Sequence, residues 1–161
     1  MSKININKSW KYDDAPESTS HINLKDKYEL FIGGEFVKPL SKRYFKTINP
    51  ATNEYISKIA EANDKDIDKA VKSARKAFNS WSKVIPKERG KFIFRIARMI
   101  QERAKEFAVI ESMDGGKPIR ESRDIDIPLA ANHFFYYAGW ADKLEYAFPN
   151  KTPKPLGVAG Q

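Results

Sequence analysis

The chain has 161 residues, 41% apolar and 31% charged, with 29 basic against 21 acidic groups and a net charge of +8. That length supports one domain burying about 70% of the surface its unfolded form exposes, and the composition is that of an ordinary globular chain. The absence of cysteine excludes disulfides, thiolate metal sites and a cysteine nucleophile within these residues. Lysines alternate with acids in "DKDIDKAVKSARKAF" and "IQERAKEF", which argues against the one-sided basic face that nucleic acid requires. No apolar run is long enough to cross a bilayer, and the polar start "MSKININKSWKYDD" has no signal-peptide core, so the expected location is cytoplasmic.

Residues 1–27 are polar and aperiodic and read as an extension, with the folded domain over residues 28–161. "YELFIGGEFV" places apolar residues on both sides of Gly33-Gly34, and a glycine pair supplies the positive φ angles of a tight turn, which predicts a hairpin over residues 29–37. A second strand pair, "RYFKTI" and "EYISKIAEA", flanks a turn at Asn49-Pro50-Ala51-Thr52-Asn53.

From Asn63 the period becomes helical. Ile67, Ala70, Val71, Ala74, Phe78 and Trp81 share one stripe, with Asn63 or Asp64 available as the cap. Pro86 opens a second helix, whose apolar face continues through Phe92, Ile96, Ile100, Phe107 and Ile110. That run is long for one globular helix, so a break near Arg103 is expected, and Gly115-Gly116 ends it.

Pro118 and Pro128 bracket a connecting segment, and an aromatic-rich helix from Ala131 to Leu144 is expected to be buried on more than one side. "EYAFPNKTPKP" reads as a linker or short ribbon, and "PLGVAG" as an apolar strand.

The residues show little chemistry when taken alone. His21 and His133 have no second histidine or cysteine at ligand spacing. The glycine pairs in "IGG" and "MDGGKP" do not have phosphate-loop spacing, and "GVAG" is too short to define a nucleotide-binding unit.

The ordered blocks "ELFIGGEFV", "KTINPATNE", "DIDKAVKSARKAFNSW", "ESMDGGKPIRES", "FFYYAGWADK" and "PLGVAGQ" resemble the N-terminal part of the NAD(P)-dependent aldehyde dehydrogenase superfamily, from about residue 28 onward. The resemblance implies an α/β fold in which hairpins and helices lead into an incomplete Rossmann-type cofactor domain. In that family a cysteine thiolate attacks the aldehyde to give a thiohemiacetal, a hydride passes to NAD or NADP, and a glutamate activates water to release the acid. The cysteine, the glutamate, the oxyanion asparagine and the dinucleotide glycines fall beyond Gln161, so this chain by itself is expected to be inactive. A naturally short, non-catalytic scaffold or interaction module is the alternative reading, and the acylating branch of the family stays open.

One family site carries over residue by residue. A structural sodium or potassium ion is held in many members by oxygens of the "TINP" strand and of the aspartate before "GGKP", which here are Thr47, Ile48 and Asp114. Carbonyl and carboxylate oxygens suit such hard cations, while a plain turn-capping role for Asp114 is the competing reading. The complete enzyme is implied to act on a small-molecule aldehyde and to form a homo-oligomer, a dimer or tetramer. The segment after "AGWADK" is short for the family's tetramer ribbon, which leaves the choice between the two open.

Overall fold

The computed structural model describes residues 19, 22–151 and 154–161, so His21 and most of the expected extension lie outside the described residues. Among the described residues there are five strands: β1 (Lys27–Tyr28), β2 (Leu30–Ile32), β3 (Glu35–Val37), β4 (Tyr44–Ile48) and β5 (Tyr55–Ala60). The helices are α1 (Asp64–Trp81), α2 (Pro86–Glu102), α3 (Ala104–Gly115), α4 (Ile119–Glu121), α5 (Ile127–Trp140) and α6 (Leu144–Ala147).

The Gly33-Gly34 turn forms as its composition requires. Both glycines take positive φ, 69° and 90°, and β2 pairs antiparallel with β3, with Phe31 opposite Phe36. β4 and β5 form the second expected pair, in a sheet of order β1-β5-β4. β1 is a parallel neighbour of β5, Lys27 facing Lys58 and Tyr28 facing Ile59. The edge of the expected extension is therefore docked: the Ser57 hydroxyl donates to the Lys25 carbonyl at 2.8 Å, and the Lys58 amide to the Asp26 carbonyl at 2.9 Å. A two-residue strand joined to a partner thirty-odd positions away leaves no periodic trace in its own neighbourhood.

α1 starts on a reciprocal capping box. The Asn63 side chain accepts from the Asp66 amide and the Asp66 carboxylate accepts from the Asn63 amide, each at 3.1 Å. Asp66 is 2% exposed, and both of its oxygens also accept from the Leu40 amide at 3.2 Å, tying the loop after β3 to the helix start.

The break at Arg103 is present: its φ of −108° and ψ of 18° separate α2 from α3. Arg103 clamps Glu106 through two bonds of 2.8 and 2.7 Å at the start of the new helix. α3 ends at Gly115, with Gly116 left-handed at φ 70° and its amide bonded to the Ser112 carbonyl.

The connecting segment between the two prolines is helical. α4 runs through a π-helical turn, Ser122–Asp126, directly into α5. Pro128 follows this wider turn inside the continuous helix, where it donates no hydrogen bond to the preceding turn and the π-helical widening accommodates its ring. Fully buried Ser122 accepts from the Ser112 hydroxyl at 2.9 Å, which anchors the wide turn to α3.

α2 and α5 cross closely through small residues. Ala97 and Ala131 are 0% and 1% exposed at this contact, a β-carbon on Gly90 would stand 3.0 Å from the Ala138 carbonyl, and Phe94 meets Phe135 edge-on at 5.0 Å. The expectation that the aromatic helix is buried on several sides is not met. Tyr136 and Tyr137 are 60% and 61% exposed, because only the alanine stripe of α5 faces α2. Residues 154–161 form no strand, since no described strand offers them a ladder.

Candidate functional site

The three residues singled out from the resemblance lie where β4, the β4–β5 turn and the end of α3 converge. Thr47 and Ile48 close β4, and a register irregularity falls between them, where Thr47 faces Ser57 and Ile48 faces Tyr55. Such a bulge interrupts the regular ladder and re-aims backbone groups.

The turn that follows is held by its own polar groups. The Asn49 side chain accepts from the Ala51 amide at 2.9 Å, the Asn49 amide donates to the Glu54 carbonyl at 2.8 Å, and Asn53 takes a left-handed φ of 60°. Pro50 is thereby set against Gly116, where a β-carbon would lie 2.5 Å from the proline Cγ.

Asp114 sits in the last turn of α3, and the Thr47 hydroxyl donates to its Oδ1. A carboxylate there adds to the negative end of the helix dipole, an unfavourable place for an anion without a compensating cation. No basic residue stands in that last turn. The nearby Lys117 ammonium is committed elsewhere, to Glu111 at 2.9 Å and Asp126 at 2.8 Å. Those two carboxylates, Asp126 foremost, push the lysine pKa up, so the clamp stays charged and fixes the Asp114 turn to the π-helical segment.

The oxygen groups that meet at the convergence are the Asp114 carboxylate and the Thr47 hydroxyl bonded to it. That chemistry fits a hard cation of low charge. Among the described residues, no three His, Cys, Asp or Glu side chains converge as a metal cage, and His133 is exposed on α5.

Beside this point lies a cavity of about 560 Å³ between the sheet and α3. Tyr28, Phe45 and Ile59 wall it on the sheet side, Ile110 and the Arg103–Glu106 pair on the helix side, and Thr47 and Asp114 stand in its lining. The resemblance pointed to Thr47, Ile48 and Asp114, of which Thr47 and Asp114 are hydrogen-bonded, and sequence reading did not single out the Lys117 clamp or the buried Asp66. The N-x-x-D spacing of "NDKD" was the available signal for Asp66. The clamp joins residues from three segments and has no local signature.

The hairpins and the crossed helices define a mixed α/β segment. A sequence profile of the aldehyde dehydrogenase family matches residues 36–161, and the chain belongs to that family. It is 41% identical over 141 residues to an aldehyde dehydrogenase of Alternaria alternata, covering 82% of this chain and 28% of that protein. To a long-chain-aldehyde dehydrogenase of an Acinetobacter species it is 37% identical over 162 residues, covering 93% of this chain and 31% of that protein. Among solved structures, an aldehyde dehydrogenase of Bacillus cereus in complex with NAD+ superposes with a TM-score of 0.69 at 39% identity, over 74% of this chain and 26% of that one. The chain thus spans about 30% of the length of the relatives it matches.

Proposed function

We propose that this chain is the N-terminal portion of an aldehyde dehydrogenase that oxidises an aldehyde and water to a carboxylic acid. Its bound NAD or NADP takes up the hydride. In this reading the chain supplies scaffold and no reacting group. Thiolate attack on the carbonyl needs a cysteine, the sequence has none, and the thiohemiacetal must form on a residue outside these 161. The observation that carries the reading is the family match over residues 36–161. A cytoplasmic location and assembly of the complete enzyme as a dimer or tetramer belong to the same proposal.

The purified chain should form no reduced nicotinamide from aldehyde with either cofactor. A chimera in which residues 36–161 replace the matching segment of the Acinetobacter relative should turn over long-chain aldehydes. A folded chimera without turnover, or turnover by the chain alone, overturns the reading.

Thr47, Ile48 and Asp114 are proposed to hold sodium or potassium, a structural ion that neutralises Asp114 at the helix end and locks β4 to α3. If the ion binds in the ten-millimolar range, linkage at 0.1 M salt gives about 1.4 kcal/mol, roughly 4 °C in melting temperature. The expected result is a midpoint higher in sodium or potassium chloride than in choline chloride at equal ionic strength. Asp114→Asn keeps an acceptor for the Thr47 hydroxyl and removes the charge, so it should abolish that difference. Equal midpoints in the three salts for the parent chain would sink the assignment.

A further inference from the structure

The opposite face of the β1-β5-β4 sheet carries a second, chemically different cavity. Side chains alternate along β4, so Phe45 and Thr47 face α3 while Tyr44 faces the other way. There Tyr44 joins Lys27, Lys38, Pro39, Leu40 and Lys42 around a space of about 530 Å³. We propose that this pocket binds a small soluble phosphate ester, its phosphate among the three lysines and its organic part against Tyr44 and Leu40.

Charge balance is the first support. Two carboxylates adjoin the pocket: buried Asp66, whose oxygens are taken up by the Leu40 amide and the helix cap, and Glu29, which accepts from the Tyr44 hydroxyl at 2.6 Å and lies 3.3 Å from the Lys27 ammonium. Tyr44's hydrogen bond, then Lys27 and the field of Lys38, hold Glu29 below the usual carboxylate range, and the same bond pushes the Tyr44 hydroxyl up to about 12. Glu29 is thus one anion shared by a phenol and two lysines, and Lys42 adds a third cation at the pocket. Lys27 also stands 4.8 Å above the Tyr44 ring centroid. Three ammonium groups, each a multiple donor, suit a dianion with several terminal oxygens.

The second support is rigidity. Pro39 is fully buried, the Leu40 amide is held by buried Asp66, the Ser41 hydroxyl donates to the Glu61 carbonyl at 3.0 Å, and the Lys42 amide bonds to the Pro39 carbonyl at 2.9 Å. Lys42 itself has φ 55°, a left-handed conformation that a β-carbon disfavours and that surrounding structure must impose. The turn therefore fixes the backbone from which the exposed Lys38 and Lys42 side chains project. The volume falls within the range of small-molecule sites.

Pyrophosphate is the probe, titrated into the chain at low ionic strength by calorimetry and by amide chemical shifts. Lys27→Gln and Lys38→Gln should each weaken binding about threefold, the scale of one exposed charge pair. Lys42→Gly is the sharpest variant, because glycine adopts the same φ freely, so the charge goes while the turn stays. It should lose binding to a similar degree and melt no lower than the parent. The triple variant should lose roughly tenfold or more, with shifts confined to residues 27–44 in the parent. Lys105→Gln, on α3, should change nothing. Equal losses from Lys105→Gln, undiminished binding by the triple variant, or capture by phosphoinositide vesicles without pyrophosphate binding would each overturn the proposal.

Discussion

Gly116→Ala is expected to be the most damaging single-methyl change in the described chain, at about 2–4 kcal/mol. Two costs add. The residue sits at φ 70°, where an L side chain is strained, and the new β-carbon would stand 2.5 Å from Pro50 Cγ and 3.3 Å from its Cβ. The proline ring cannot rotate away, so either the β4–β5 turn or the end of α3 must shift, separating Thr47 from Asp114. Gly34→Ala isolates the first cost, because at φ 90° nothing lies within 4 Å of its β-carbon, and it should lose only about 1 kcal/mol. Urea titrations followed by the helical signal compare the two. Equal losses would mean that the Pro50 contact does not hold the turn. Gly116→Ala should also erase the response to sodium and potassium.

Strong binding of the hydrophobic dye ANS by the native chain is the second large effect. The buried apolar set is Ala60, Ala97, Ala108, Val109 and Ala131, residues that withdraw little surface from water. The large side chains lie largely outside it: Phe31 is 64% exposed, Phe36 65%, Ile85 61% and Tyr146 76%. α1 is strongly amphipathic by spacing, yet Ile67, Val71 and Trp81 on its stripe remain exposed. Large apolar side chains exposed on several elements favour dye binding and self-association. The chain should therefore show dye fluorescence under native conditions and association that grows with concentration in sedimentation. A monomer at every concentration, with a sharp melt and no dye enhancement, would contradict the exposed faces. Binding of the dye by the chain but not by the active chimera would show that these faces are covered in the longer protein.

Local chemistry was legible in the sequence wherever one residue and its neighbours fix the backbone. Gly33-Gly34 specified a hairpin, Asn63 a helix start, Pro86 the opening of α2 and Gly116 the end of α3. Each of these depends on a dihedral preference or a cap that acts within four residues. Apolar spacing likewise placed α1, and the family resemblance singled out Thr47, Ile48 and Asp114, of which Thr47 and Asp114 are joined by a hydrogen bond between β4 and α3.

The tertiary structure alone decided what depends on distant partners. The parallel seat of β1 on β5, the hold of Asp66 on Leu40 and the Lys117 clamp join segments whose pairing follows from register and packing. Pro118 and Pro128 marked only a connecting segment, and its helical form, with buried Ser122 bonded to Ser112, was seen in the tertiary structure. The same limit governs burial. Periodicity tells which side of α1 or α5 is apolar, but only a packed neighbour turns that stripe into a core, and here small alanines meet while the aromatics face outward.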